Sequence, residues 1–141
     1  MSDLGSTPLG VAVRDTTRQE IAEWFAQYDA LVPTADVERM AELAVFPLNE
    51  VTDSADGTGS ANQTDRADYL QVMRAQLGSA PADLDMRVTR TPIFLSENIV
   101  LVVSDGTMTA AGQTVPMHYA DVLIRVAGQW RFQTQIQAGW G

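Results

Sequence analysis

Three side chains able to donate or accept a proton occur where the surrounding sequence is apolar. Asp53 lies in the stretch VTDSADG, at the end of an apolar run and just before a glycine-marked turn. Tyr28 belongs to an aromatic stripe, and His118 is the only histidine of the chain. An apolar pocket raises the pKa of a carboxylate, which suits proton transfer near neutral pH. A tyrosine hydroxyl can stabilise a developing oxyanion, and an imidazole can act as acid or base. Together these residues predict acid–base chemistry on a small molecule.

Each of the three residues also has a purely structural interpretation. Asp53 could begin a hairpin turn and accept hydrogen bonds from nearby amides, because Asp56 and Gly57 make the stretch rich in turn residues. Tyr28 could be a core aromatic residue whose hydroxyl finds a partner, and His118 could be a buried histidine with one hydrogen bond. The sequence leaves both interpretations open for all three.

Three helices are expected in the first half of the chain. Residues 1–14 lack any periodic pattern and are interpreted as a flexible arm before a single domain of residues 15–141. Thr17 and Glu20 have capping-box spacing, and the apolar stripe that follows predicts the first helix. A second helix is expected from residues 34–36 to Pro47, and a third from residues 64–65 to Leu77.

The second half of the chain alternates between polar and apolar residues, as β-strands do. Four such stretches follow residue 85, separated by breaks short enough for hairpins. A short strand over residues 49–54 is expected to join the same sheet. The predicted fold is therefore α+β: three helices packed in the concave face of a curved, mainly antiparallel sheet, forming a cone. The space between helices and sheet is the expected ligand site.

Strand alternation assigns residues to the faces of this sheet. His118, Ala120, Val122 and Ile124 form the more apolar set on their strand, so this set is assigned to the concave face. The predicted cavity-lining residues are Trp24, Asn49, Tyr69, Met73, Met117, Ala120, Trp130 and Thr134. The opposite set, Tyr119, Asp121, Leu123 and Arg125, is assigned to the outer face. That face is not fully polar, so a homodimer through it is expected.

Composition excludes several classes of partner and site. The net charge is −9, which disfavours nucleic acid and anionic membrane surfaces as partners. There are no cysteines and one histidine, so no metal site and no cofactor are expected. The N-terminus lacks a signal-peptide pattern, and no apolar run is long enough to span a bilayer, so a cytoplasmic location is expected. Nucleophile-elbow and glycine-rich phosphate motifs are absent as well.

The order of these elements resembles the nuclear transport factor 2-like superfamily, or NTF2-like proteins. That superfamily includes ketosteroid isomerase, SnoaL-type cyclases, scytalone dehydratase and limonene epoxide hydrolase. The resemblance also rests on Tyr28 lying eight residues before Asp36, on VTDSADG after the second helix, and on the closing VAGQWRF strand.

Comparison with ketosteroid isomerase implies roles for individual residues. It implies Tyr28 as the hydrogen-bond donor to the substrate oxygen and Asp53 as the general base. The isomerase's third catalytic group, a protonated aspartate, falls on Ala120, so a complete isomerase site does not transfer. Asp121 is adjacent, but alternation turns it to the opposite face. An epoxide hydrolase of this fold would need an Asp-Arg-Asp arrangement, and no Arg-x-Asp occurs on a late strand.

Two functions follow from these observations. The first is a cofactor-free isomerase, cyclase or dehydratase, acting on a small apolar or carbonyl-bearing molecule with Asp53 as base and Tyr28 and His118 assisting. The second is a non-catalytic ligand-binding or dimeric interaction module of the same fold. The missing second acid at Ala120 favours the second function.

Overall fold

The computed structural model describes residues 9–53, 56–79 and 82–138, which form three α-helices and six β-strands. The helices are α1 (Asp15–Leu31), α2 (Val37–Glu42) and α3 (Arg66–Gly78), and a 3₁₀ turn, Val32–Thr34, joins the first two. The strands are β1 (Ala44–Asp53), β2 (Gly59–Thr64), β3 (Asp85–Ser96), β4 (Ile99–Ala110), β5 (Gln113–Val126) and β6 (Gln129–Ala138). The predicted α+β class is confirmed.

Helix α1 buries the predicted stripe, but it begins earlier than the capping-box pattern indicates. Thr17 lies inside the helix, fully buried, and its hydroxyl donates to Glu97 Oε1 at 2.7 Å. The Arg14 amide donates to the other carboxylate oxygen of Glu97 at 3.0 Å. The Thr17 hydroxyl, the Arg14 guanidinium and then the Arg14 amide lower the pKa of Glu97 to about 2. A carboxylate from the turn between β3 and β4 therefore caps α1.

The end of the predicted N-terminal arm is held on the sheet. The amide of Val11 donates to the carbonyl of Phe94 at 2.8 Å, which covers part of the exposed edge of β3. Gly10, with φ +79°, lies so close to the Phe94 backbone that a Cβ atom would be 2.4 Å from that carbonyl oxygen. Residues 1–8 of the arm lie outside the described part of the chain.

The second and third helices differ in how well the sequence predicts their ends. Helix α3 is confirmed: the side chain of Asp65 accepts a hydrogen bond from the Asp68 amide at 2.8 Å, as an N-cap residue should. Helix α2 ends at Glu42, well before Pro47, because β1 begins at Ala44. The expected short strand over residues 49–54 is the second half of this longer β1.

The six strands form one sheet in the order β2-β1-β6-β5-β4-β3, curved and not closed into a barrel. The predicted meander of β3, β4, β5 and β6 is confirmed. Strand β1 pairs in parallel with β6, and β2, which the sequence pattern did not predict, pairs antiparallel with β1. Alternation is weak in β2 because it is an exposed edge strand of small polar residues.

The faces of β5 are the reverse of the sequence assignment. Asp121 and Leu123 are buried on the concave side, whereas the side chain of His118 is 65% exposed on the outer side. The buried neighbours Phe94, Val100 and Val102 on β3 and β4 fix the concave side independently. On β5 the outer face therefore carries the apolar Ala120, Val122 and Ile124, and the inner face carries Asp121.

A β-bulge in β6 reverses the alternation again. Leu123 pairs with Phe132 but Val122 pairs with Thr134, so Gln133 has no partner on β5. Before the bulge, Trp130 faces inward as predicted, and Phe132 faces inward with it. After the bulge, Gln135 shares the inner face with Asp121. Thr134 shares the outer face with Val122.

Gly106, on the inner face of β4, permits the close approach of β3. An added Cβ atom would lie 1.9 Å from the carbonyl oxygen of Arg87 and 2.8 Å from the Cα atom of Val88. Backbone atoms cannot move aside as a flexible side chain can, so any larger residue must push the two strands apart.

We therefore expect Gly106→Ala to lower the free energy of unfolding by about 1–3 kcal/mol, the usual range for overpacking. The control is Gly78→Ala: Gly78 ends α3 and has open space around its Cα, so stability should not fall. Urea denaturation of both variants measures the difference. Equal stability of the two would contradict the close-approach argument.

Candidate active site

A cavity of about 840 Å³ lies between the C-terminal half of α1, helix α3 and the concave sheet. Its walls are mainly apolar and include Trp24, Met40, Met73, Leu77, Met117 and Phe132. Methionine side chains are flexible and polarisable, so such walls can adapt to ligands of different shape. The volume lies within the usual range for pockets that take small organic molecules.

Asp121 on β5 is the buried carboxyl group of this cavity. It is 7% exposed and lines the wall beside Tyr119, with Gln135 opposite it on β6. Burial raises the pKa of Asp121 to about 7, although the charge of Arg90 and a hydrogen bond from Gln135 act to lower it. Near neutral pH the group therefore exists in both its acidic and its basic form, as proton transfer requires.

Arg90 on β3 brings a positive charge to the same wall. Its two terminal nitrogens donate to both carboxylate oxygens of Asp29, at 2.7 and 2.9 Å, and its guanidinium lies 4.4 Å from the centre of the Phe25 ring. Burial is the largest single influence and acts to lower the pKa of Arg90, but Asp29 and Tyr119 together outweigh it, so the pKa is raised and the guanidinium stays charged.

Tyr28 places a hydroxyl group in the cavity from the side of the helix. Its ring stacks on Trp24 at 5.5 Å and meets the edge of Phe132 at 6.1 Å, which fixes its direction. Burial, followed by the smaller influence of Tyr69 and Asp121, raises the pKa of Tyr28. The phenol therefore stays protonated and can act as a hydrogen-bond donor.

The structure brings together five of the eleven residues that the sequence predicts for the site. The five that border the cavity are Trp24, Tyr28, Met73, Met117 and Ala120, although strand alternation turns the side chain of Ala120 to the outer face. The six that do not are Asn49, Asp53, Tyr69, His118, Trp130 and Thr134. Asp53 is exposed at the end of β1, opposite Gly59, and His118 Nδ1 lies 2.6 Å from Asp105 Oδ1 on the outer face.

Three of the excluded residues are buried, Tyr69 and Trp130 in the core and Thr134 on the outer side of β6. Tyr69 is 3% exposed and packs against Phe46 at 5.5 Å, and burial raises its pKa to about 12. Trp130 lies under the guanidinium of Arg125, 4.7 Å from it. Thr134 donates to Gln133 Oε1 at 2.6 Å on the other side of the bulge.

The sequence assignment missed Asp121, Arg90, Asp29, Tyr119 and Gln135. One signal could have found Asp121: Ala127 and Gly128, both with positive φ, form a two-residue hairpin turn that fixes the register. That register places Arg125 opposite Trp130 and Leu123 opposite Phe132. Once Trp130 and Phe132 are assigned to the inside, Leu123 must also be inside, and Asp121 with it.

The described residues hold no group of three histidine, aspartate or glutamate side chains arranged as a metal site. Within the same part of the chain, no helix is both long enough and apolar enough to cross a membrane.

Comparison with solved structures identifies the fold. A Pseudomonas putida KT2440 NTF2-like protein of unknown function superposes with a TM-score of 0.73 at 11% identity, over 90% of this chain and 89% of that one. A Novosphingobium aromaticivorans protein, provisionally described as a scytalone dehydratase, gives 0.62 at 19% identity, over 86% and 82%. A Streptomyces avermitilis protein, provisionally described as an NTF2-like dehydratase, gives 0.62 at 11% identity, over 89% and 97%.

These similarities give the chain the NTF2-like fold, as the resemblance in the sequence predicted. At such low identity they show the fold alone. The chain matches no protein-family model and no curated protein sequence.

The raised pKa of Asp121 predicts a specific pH dependence of stability. The folded state holds the Asp121 proton more tightly than the unfolded chain does, so this group lowers stability as the pH rises from about 4 to about 7. We expect Asp121→Asn to remove that decline, which amounts to at most about 4 kcal/mol for a shift of this size.

Thermal denaturation between pH 4 and pH 8 measures the effect. The variant should gain melting temperature over the wild type at pH 8 and gain little at pH 4. A difference between the two proteins that does not vary with pH would show that Asp121 has an ordinary pKa.

Proposed function

We propose that this NTF2-like protein binds a small, largely apolar molecule with one oxygen-bearing end and moves a proton on it through Asp121. The reaction class is a cofactor-free isomerisation or elimination. The observation that carries the proposal is a carboxyl group, 7% exposed, on the wall of an apolar cavity of about 840 Å³. Asp121 takes the role that the sequence gave to Asp53, because Asp53 is exposed and does not line the cavity.

The chemistry follows from the groups around the cavity. The Asp121 carboxylate removes a proton from the carbon next to a carbonyl group, while the hydroxyl of Tyr28 donates a hydrogen bond to the oxygen that becomes an enolate. The Asp121 carboxylic acid then returns the proton, either to another carbon in an isomerisation or to a departing hydroxyl group, which leaves as water. Both outcomes need only one group with a pKa near neutrality.

The charges of the cavity support a neutral ligand. Arg90 is the cationic residue of the lining, and both of its terminal nitrogens are already bonded to Asp29. A ligand carboxylate would have to displace Asp29 and would also lie near Asp121. A ketone or a hydroxy ketone with an apolar body meets neither obstacle.

Two structural neighbours are provisionally described as dehydratases, which is consistent with elimination as one form of the reaction. The second candidate function is a non-catalytic binding module. It is favoured by the presence of one proton-moving group rather than two, because Tyr28 stays protonated. Under either function the cytoplasmic location expected from the sequence is retained as part of the proposal.

The proposed chemistry predicts exchange of carbon-bound protons. When the protein is incubated in D₂O with a panel of neutral cyclic and open-chain ketones, NMR should detect deuterium entering the position next to the carbonyl group. Asp121→Asn should slow this exchange by about a hundredfold or more, the usual contribution of a positioned acid or base.

Asp53→Asn is the matched control, because it makes the same change at the aspartate outside the cavity and should leave exchange unaltered. Unchanged exchange in Asp121→Asn would rule out the proposed mechanism. Ketones retained in native mass spectrometry without any exchange would instead support the binding module.

We also propose that the protein is a homodimer joined through the outer face of the sheet. With the faces of β5 reversed, that face carries Ile93, Leu101, Val103, Ala120, Val122 and Ile124, which are only partly covered by the chain's own side chains. No charged residue lies within this set, although the chain as a whole carries −9. Two copies can bring these apolar residues together without placing like charges opposite each other, so we expect a second copy of the chain as the partner.

Val122, opposite Leu101 near the middle of this surface, provides the test. Val122→Lys should convert a dimer of twice the 15.3 kDa chain mass into a monomer, because a lysine there would bury an unpaired charge. Gln71→Lys, on the exposed side of α3, adds the same charge elsewhere and should leave the dimer intact. Multi-angle light scattering measures both, and a monomeric wild-type protein at micromolar concentration would refute the dimer.

A further inference from the structure

The ion pair of Asp29 and Arg90 joins the last turns of α1 to the inner face of β3. The side chain of Arg90 is 20% exposed and that of Asp29 is 52% exposed, so the pair lies at the boundary between the cavity and water. Both residues line the cavity. The aromatic ring of Phe25, 4.4 Å below the guanidinium, keeps the charged group from turning away from the wall.

Asp121 shares the wall of the cavity with several polar side chains. Helix α1 contributes Tyr28 and Asp29, β3 contributes Arg90, β5 contributes Tyr119, and β6 contributes the uncharged Gln135. The side chains from α2 and α3 that line the cavity are apolar: Met40, Met73 and Leu77. In this set Arg90 carries the positive charge, and Asp29, bonded to it at 2.7 and 2.9 Å, carries a negative charge.

We propose that Asp29 and Arg90 are positioning residues for Asp121: Asp29 holds the guanidinium at the cavity wall, and the net charge of the pair sets how readily the Asp121 carboxyl group gives up its proton. The inference rests on the proposed role of Asp121 and extends it to two residues that need not touch the ligand. Tuning by a partly neutralised cation explains how a carboxyl group in so apolar a site can ionise near neutral pH at all.

The two members of the pair should have opposite effects. Loss of the Arg90 charge leaves Asp29 as an uncompensated negative charge, so ionisation of Asp121 becomes harder. Loss of the Asp29 charge leaves the guanidinium uncompensated, so ionisation becomes easier. A purely structural role predicts something else, because breaking the ion pair from either side would loosen the same helix end and admit water. Both substitutions would then ease ionisation.

NMR titration of the Asp121 carboxyl carbon in the full-length protein tests this directly and requires no ligand. Arg90→Met, which keeps an apolar stem over Phe25, should raise the titration midpoint of Asp121 by about one pH unit or more. Asp29→Asn should lower the midpoint, and Arg90→Lys, which keeps the charge, should leave it near the wild-type value. The pH profile of ketone exchange should move in the same directions.

A lowered or unchanged midpoint in Arg90→Met would overturn the inference. If Arg90→Met does not fold, Asp29→Asn and Arg90→Lys decide the question, since an unchanged midpoint in Asp29→Asn also overturns it. The outcome is separate from that of the proposed function. Opposite midpoint shifts without any ketone exchange would support the tuning and refute the catalysis, whereas exchange that depends on Asp121 without such shifts would do the reverse.

Discussion

Two arginines from the concave face of the sheet hold α1 in place. Arg125 on β5 donates to both carboxylate oxygens of Glu20, at 2.7 and 2.8 Å, near the start of the helix. Arg90 on β3 binds both carboxylate oxygens of Asp29 near the end of the helix, through its two terminal nitrogens. The two acidic residues are nine positions apart, about 13 Å along the axis. Each guanidinium also lies over an aromatic ring, Trp130 or Phe25, so the helix is fixed in position and in rotation.

The cavity lies at one end of α1, where Arg90 binds Asp29. At the Arg125 end, Ile21 and Trp24 pack tightly on the sheet, and the indole nitrogen of Trp24 donates to the carbonyl of Trp130 at 2.9 Å. At the Arg90 end the sheet curves away, and the space between α1, α3 and the strands stays open. Asp121 stands next to Leu123, fully buried, on the same face, and an apolar residue at its position would extend the core without any desolvation penalty. A carboxyl group at this position is consistent with the proposed acid–base site.

The limits of sequence prediction can be stated from particular residues. The helical stripe of α1, the Asp65 cap of α3 and the hairpins of the meander follow from local rules, and the structure confirms them. The faces of β5 do not follow from hydrophobicity, because the outer set of Ala120, Val122 and Ile124 is more apolar than the inner set. A rule that places the more apolar face of a strand inside fails on β5, where the inner face lines the cavity and the outer face forms the proposed dimer surface. The bulge at Gln133 and the pairing of β1 with β6 depend on contacts far apart in the chain, and no local pattern carries them.

The reversal of one strand changes the ligand hypothesis and the partner hypothesis together. Since side chains alternate strictly between the two faces of a strand, moving Asp121 inward necessarily moves Ala120, Val122 and Ile124 outward. The cavity then gains the carboxyl group that the sequence comparison found missing at Ala120. On β5 the outer face loses the charges of Asp121 and Arg125 and carries Ala120, Val122 and Ile124 instead. The proposed acid–base site and the proposed dimer surface therefore depend on a single register, which the turn of Ala127 and Gly128 sets where β5 meets β6.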